Sequence, residues 1–203
     1  MTFDVDQKIV LASNNAGKIA EIQAILAHYP IIPQARFAID EVEETGSTFI
    51  ENAIIKARHA AQASRLPALA DDSGLVVDVL DGAPGVISAR YAGVGSNDRQ
   101  NLDKLLQALE GIPEQQRTAR FICVIVLMRH ANDPFPLITQ GVWEGLILEQ
   151  ARGENGFGYD PVFWVPEFQC ASAELSPELK NSVSHRGQAL RQLAELVMQQ
   201  VSI

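Results

Sequence analysis

The chain is short of cysteine, of long apolar runs and of positive charge, and each shortage argues against a class of protein. Its 203 residues include two cysteines, Cys123 and Cys170, with no C-x-x-C pair and no His–Cys cluster. That argues against a structural zinc site and a disulfide framework, and suits a cytoplasmic protein with reduced thiols. The longest apolar run, Phe121 to Met128, is bracketed by Arg120 and Arg129. It is far below the ~20 residues needed to span a bilayer and reads instead as a buried strand. Met1-Thr2-Phe3-Asp4-Val5-Asp6 lacks the basic start and apolar core of a signal peptide. Lys+Arg number 16 against 25 Asp+Glu, a net charge of −9, which speaks against nucleic-acid and membrane-surface partners. A small anionic ligand stays open, because local donors or a bound cation suffice for phosphate. There is no internal repeat, low-complexity tract or clear linker.

What the chain does have is apolar content of 47% with 20% charged residues, the balance of a globular protein with a sizeable core. The length fits one large domain or two lobes sharing a sheet. The most informative stretch opens with Glu41, Glu43 and Glu44, turns at Gly46 and enters a helix. Thr48 with Glu51 three residues on is a capping box, which starts that helix at Phe49. Phe49, Ala53, Ile54, Ala57, Ala60 and Ala61 form its apolar stripe, while Asn52, Lys56 and His59 share another face. Leu66 to Ala70 reads as a short buried strand. Asp71 and Asp72 are then expected at its end, where Asp-Asp-Ser-Gly turns the chain on the usual ligand side of an open α/β sheet. Acids from two segments with a lysine between them suit a hard cation and phosphate; a solvated acidic loop beside a plain turn is the ordinary alternative.

Lys8–Ala12 reads as a strand, Ser13-Asn14-Asn15-Ala16-Gly17-Lys18 as a polar turn, and Ile19, Ile22, Ile25 and Leu26 as one face of a helix. Such a turn is either an ordinary connection or an anion site at a helix N-terminus. It is not a Walker A loop, since Ile19 follows Gly17-Lys18. Pro30 and Pro33 end the helix, and Gln34–Ile39 can hold a second strand. Gly74–Leu80 reads as another strand. Ser96 or Asn97 caps a helix buried through Leu102, Leu105, Leu106 and Leu109. Thr118–Arg129 is the long strand, and Leu137–Trp143 and Leu146–Leu148 look like two strands split by a Glu144-Gly145 turn. In Gly153–Pro161 the glycines admit close backbone approach, and Phe157 either plugs the core or stacks on a flat ring. Arg90 meets a phosphate or an acid. Lys180, His185 and Arg186 stand just before a last amphipathic helix, where the dipole disfavours cations, a hint of an anionic ligand.

Taken in order, Ser13-x-Asn15-x-x-Lys18, Glu44-Thr45-Gly46, Thr48-Phe49-x-Glu51-Asn52-Ala53-x-x-Lys56-Ala57, Ala70-Asp71-Asp72-Ser73-Gly74, Pro84-Gly85, Ser88-Ala89-Arg90-Tyr91, Gly156-Phe157-Gly158-Tyr159-Asp160-Pro161 and Ser184-His185-Arg186-Gly187 resemble the inosine/xanthosine triphosphate pyrophosphatase family. The resemblance runs from about Lys8 to the last helix, and a few extra residues before Lys8 are the one departure. It implies a single domain over 1–203, an α/β structure, elongated and two-lobed, with a long mixed sheet flanked by helices and a cleft between the lobes. It implies a homodimeric, Mg²⁺-dependent hydrolase that splits ITP, dITP and XTP into monophosphate and pyrophosphate. By match, Glu44 and Asp72 would hold Mg²⁺, with Asp72 the proton acceptor and Lys56 a catalytic cation. Ser13, Asn14, Asn15, Ala16, Gly17, Lys18 and Ser73 would face the triphosphate. Phe157, Gly158, Tyr159, Asp160, Lys180, His185 and Arg186 would hold the nucleotide, chiefly its base.

The residue chemistry suits those roles. Mg²⁺ takes oxygen ligands, keeps several waters and is commonly held by one or two carboxylates plus substrate phosphates. Hypoxanthine and xanthine carry a 6-oxo group and an N1–H where adenine has a 6-amino group and an acceptor, so donors such as His185 and Arg186 favour the former. A related hydrolase acting on other triphosphates would differ in base preference. A nucleotide sensor without turnover would have no need of a water-activating acid beside Lys56. An aspartyl phosphatase would want Asp-x-Asp-x-Thr/Val after its first strand, which Ser13-Asn14-Asn15 is not.

Overall fold

The computed structural model describes residues 7–201, so the reading of Met1–Asp6 lies outside the described residues. Seven strands form one sheet in the order β2-β1-β3-β4-β5-β6-β7. They are β1 (Ile9–Leu11), β2 (Ile31–Pro33), β3 (Ala68–Val77), β4 (Thr118–Met128), β5 (Leu137–Ile147), β6 (Phe163–Val165) and β7 (Cys170–Ala171). β1 runs parallel to β2 and β3, whereas β5, β6 and β7 pair antiparallel. The sheet is mixed and open, flanked by α1 (Ala16–Ile25), α2 (Phe49–Ser64), α3 (Asp98–Ala108), α4 (Pro177–Val183) and α5 (His185–Val201).

The chain divides into two compact units, one of residues 1–72, 123–141 and 186–203, the other of 73–122 and 142–185. The first is built on Ile9, Leu11, Ile22, Leu69, Ile125 and Leu127, against which α5 lays Ala189, Leu190, Leu193 and Val197. Each such leucine contributes about 1.5–3 kcal/mol by leaving water. The second is built on Leu75, Val77, Leu102, Leu105, Phe121, Trp143, Ile147 and Phe163.

Local chemistry explains most boundaries. Thr48 Oγ1 accepts from Glu51 N and the Glu51 carboxylate accepts from Thr48 N, so α2 starts at Phe49. Asn97 and Gln100 make the same reciprocal cap for α3. Three expectations need correction. The segment 66–80 is not a strand, a turn at Asp71–Gly74 and a further strand; β3 runs unbroken through both aspartates, and the chain leaves it only after Val77. Paired cations keep the two acids in an otherwise buried strand, so the turn chemistry of Asp-Asp-Ser-Gly is overridden. Glu144-Gly145 is likewise no turn but part of β5. A Cβ on Gly145 would collide with the Trp164 carbonyl oxygen and the Phe163 ring, so this glycine serves the close approach of β6. Finally, the second strand is Ile31–Pro33, in register with Ile9–Leu11, and Gln34–Phe37 forms a 3₁₀ turn ended by Ala38 in the left-handed region.

Candidate functional site

In the first unit, β1 ends at Leu11 and the polar turn follows. Asn15 caps α1, its Oδ1 accepting from Lys18 N at 2.9 Å, and Ser13 Oγ accepts from Asn15 N at 3.2 Å. Asn14, Asn15 and Ala16 are exposed, Gly17 and Lys18 half-buried. The turn therefore lies at a solvent-facing helix N-terminus, where anions are favoured.

β3 turns successive side chains to opposite faces, so Asp71 and Asp72 enter different surroundings. Asp71, 1% exposed, accepts on Oδ1 from Lys18 Nζ at 2.6 Å and on Oδ2 from Arg186 Nε at 2.9 Å and Cys123 Sγ at 3.1 Å. Arg186 is also ion-paired with Glu21. Burial opposes the Asp71 charge, yet Arg186 and Lys18 outweigh it and hold the carboxyl well below the usual carboxylate range. Burial, with Asp71 beside it, pushes the Cys123 thiol up, so it stays a neutral donor.

Asp72, 4% exposed, accepts on Oδ1 from Lys56 Nζ at 2.7 Å, and Lys56 Nζ is also 2.7 Å from Glu44 Oε1. Asp72 Oδ2 is buried and finds no hydrogen-bond donor among the described residues. Burial raises the Asp72 pKa; Lys56 and Lys18 oppose that without cancelling it, and Glu44 adds repulsion. Burial also works against the Lys56 ammonium, but Asp72 and Glu44 prevail and its pKa is raised. Burial is the main cause for Asp72, and the shared ammonium explains why it is not cancelled. One ammonium serves two carboxylates, so the lysine holds its proton firmly and the less compensated acid is drawn towards holding one too. A divalent cation would remove that imbalance and meet the orphaned Oδ2. No cluster of three or more His, Cys, Asp or Glu suited to a metal occurs among the described residues. Two carboxylates plus substrate oxygens is instead the usual way of holding Mg²⁺.

In the second unit, Asp160 accepts from Ser172 Oγ at 2.9 Å, Phe157 N at 2.9 Å and Lys180 Nζ at 2.5 Å. Lys180 Nζ also stands 4.9 Å from the Phe157 ring centre. Gly156, at φ +76°, leaves no room for a Cβ beside the Asp160 carboxylate, so this glycine is required by both backbone and space. Gly158 N donates to Asp98 at 2.7 Å and the Tyr159 hydroxyl to the Ser88 carbonyl at 2.8 Å. His185 lies parallel to Phe121, ring centres 4.8 Å apart. Ser73 follows Asp72 in β3, half-buried.

Glu44, Lys56, Asp72 and Lys18 thus gather in one unit, and Phe157, Asp160 and Lys180 in the other. His185 and Arg186 are both buried and adjacent in sequence, yet Arg186 joins the Asp71–Glu21 ion pairs while His185 joins the aromatic cluster. One participant, Glu21, escaped sequence reasoning, and two others, Asp71 and Asn52, were named there without their partners. Glu21 had one signal, its place one helical turn after Lys18. Asp71 was visible as an acid, but its partners lie far off in the chain. Asn52 was visible only as a polar residue on the Lys56 face of α2.

A helix N-terminus after β1, two lysines, and two carboxylates, one of them on the inner strand β3 of an open mixed sheet, define an α/β protein with a candidate phosphate and hard-cation site. The chain belongs to the Ham1 family, whose profile matches residues 9–196. It is similar to the dITP/XTP pyrophosphatase of Vibrio vulnificus, 60% identical over 96% of this chain and 98% of that one. The Vibrio parahaemolyticus dITP/XTP pyrophosphatase is 61% identical over 92% of this chain and 94% of its own. Among solved structures, a HAM1 protein from Coxiella burnetii matches with a TM-score of 0.87 at 55% identity, covering 95% of this chain and 99% of that one.

Proposed function

We propose that this protein hydrolyses deaminated purine nucleoside triphosphates, dITP, ITP and XTP, to the monophosphate and pyrophosphate, and so clears them from the nucleotide pool. The observation that carries the reading is the Glu44–Lys56–Asp72 cluster, with its donorless Asp72 oxygen, in a chain 60% identical to a dITP/XTP pyrophosphatase. Glu44 and Asp72 would hold Mg²⁺, which when bound lowers the pKa of water and offsets charge on the leaving pyrophosphate. Asp72 accepts the proton of the attacking water. Lys56 fixes the Asp72 carboxylate through Oδ1 and, with Lys18, offsets negative charge as it develops. Ser13 to Lys18 and Ser73 bind the triphosphate, the turn through its place at the N-terminus of α1. Phe157 to Asp160, Lys180, His185 and Arg186 serve the nucleoside, Phe157 by stacking on the base and Lys180 and Asp160 by holding that loop.

The protein works as a homodimer in the cytoplasm in this reading, without nucleic-acid or membrane partners. The charge of −9 supports the former absence. No helix among the described residues is long and apolar enough to cross a membrane. The test is hydrolysis of dITP, XTP, dGTP and dATP with and without Mg²⁺, with pyrophosphate resolved from phosphate. Mg²⁺-dependent pyrophosphate release from dITP and XTP, with dGTP and dATP nearly inert, is expected. Stepwise phosphate release, or equal rates on all four, would contradict it. Light scattering checks the dimer.

A further inference from the structure

Glu44 lies in a stretch, residues 38–46, with no helix or strand of its own. Its carboxylate nevertheless meets Lys56 Nζ at 2.7 Å. Gly46, two residues on, is anchored in turn: its N–H donates to Asn52 Oδ1 at 2.8 Å. Asn52 is fully buried in α2, one helical turn before Lys56 and on the same face. A side chain at position 46 would break the contact, since a Cβ there would stand 2.7 Å from Asn52 Oδ1 and 2.5 Å from Glu51 Cβ. The amide orientation follows from its partner, because Gly46 N–H needs an acceptor. Asn52 Nδ2 is then buried with no acceptor among the described residues. The unmet Nδ2 is a cost that the Gly46 hydrogen bond offsets, so the asparagine serves its grip on the Gly46 backbone.

We infer that Asn52 is a positioning residue for the cation site: by gripping Gly46 it holds the Glu44 carboxylate against Lys56, ready to share a cation with Asp72. The inference rests on the reading of Glu44 and Asp72 as cation ligands given under Proposed function. It assigns Asn52 no contact with the cation. Partners that orient a ligating side chain typically change metal affinity by about 10–100-fold when removed.

The test is titration of the metal-free protein with Mn²⁺, followed by paramagnetic broadening of backbone amide NMR signals. It uses wild type, Asn52→Ala, Gly46→Ala, Glu44→Gln and the Asn52→Ala/Glu44→Gln double variant. In wild type the Glu44 and Asp72 amides are expected to broaden first. Asn52→Ala and Gly46→Ala should each move that titration to roughly tenfold higher Mn²⁺. Adding Asn52→Ala to Glu44→Gln should change nothing further, because a residue acting through Glu44 has nothing left to position. Wild-type Mn²⁺ response in Asn52→Ala, or a further tenfold loss in the double variant, would overturn the inference. Should Asn52→Ala not fold, Gly46→Ala and its double variant with Glu44→Gln make the same comparison from the other side of the hydrogen bond. A wild-type protein in which neither amide broadens would instead overturn the cation reading itself.

Discussion

Asp71 and Asp72 are neighbours in one strand, both buried, and their surroundings make them opposites. Asp71 receives a donor on each oxygen, two from full cations, and is held ionised well below the usual range. Asp72 has one oxygen on Lys56, a second oxygen with no donor among the described residues, and Glu44 competing for the same ammonium. Burial is common to both and so decides nothing. The count of donors per oxygen, and of cations per carboxylate, separates a structural acid from one that can bind a cation and take up a proton. The proposed chemistry thus falls on the face of β3 where compensation is left incomplete.

The sharpest way to break that division is to remove each charge in turn. Asp72→Asn should lower kcat on dITP by about 10²–10⁴-fold, the usual span for a lost general base, with nucleotide binding nearly intact; turnover within a few-fold of wild type would remove Asp72 from its role. Asp71→Asn should act first on the fold. It takes the Asp71 carboxylate away from the buried Arg186, and breaking a buried pair costs about 3–5 kcal/mol, to be read from urea unfolding. Equal stability of the two variants would erase the comparison. Outside the strand, Phe157→Ala should raise KM by about 10-fold or more through lost stacking, with a smaller change in kcat. The reverse split would argue against a stacked base.

The smallest effect is on pH dependence, and here the two acids have opposite signs. Asp71 has a depressed folded pKa, so its stabilisation is present above the ordinary 3.8 and is lost as pH falls through the folded value. Asp72 has a raised folded pKa, so its ionisation lowers stability as pH rises from 3.8 through the folded value. The stability gap between wild type and Asp71→Asn should therefore close in acid, below pH 3.8. A gap that widens there would contradict the ion-pair account.

The capped helices and the long strand β4 were legible because their signals are local. The Thr48–Glu51 and Asn97–Gln100 caps close over three residues, and the leucine stripe of α3 repeats at helical spacing. What was not legible depends on distant partners. Asp-Asp-Ser-Gly looks like a turn until Arg186, 115 residues away, neutralises Asp71 and lets the strand continue. Glu144-Gly145 looks like a turn until β6 is found packed against the missing side chain of Gly145. The same applies to the candidate site. Lys56 and Asp72 were visible as residues with the right chemistry, whereas the orphaned oxygen of Asp72 and the grip of Asn52 on Gly46 exist only once α2 lies beside the 38–46 stretch.

The division between the two aspartates is tested most directly by ¹³C NMR titration of their carboxyl carbons in the metal-free protein. The account predicts that Asp71 titrates well below 3.8 and Asp72 above it, displaced in opposite directions. Two carboxyls that titrate together, or Asp72 below Asp71, would contradict it.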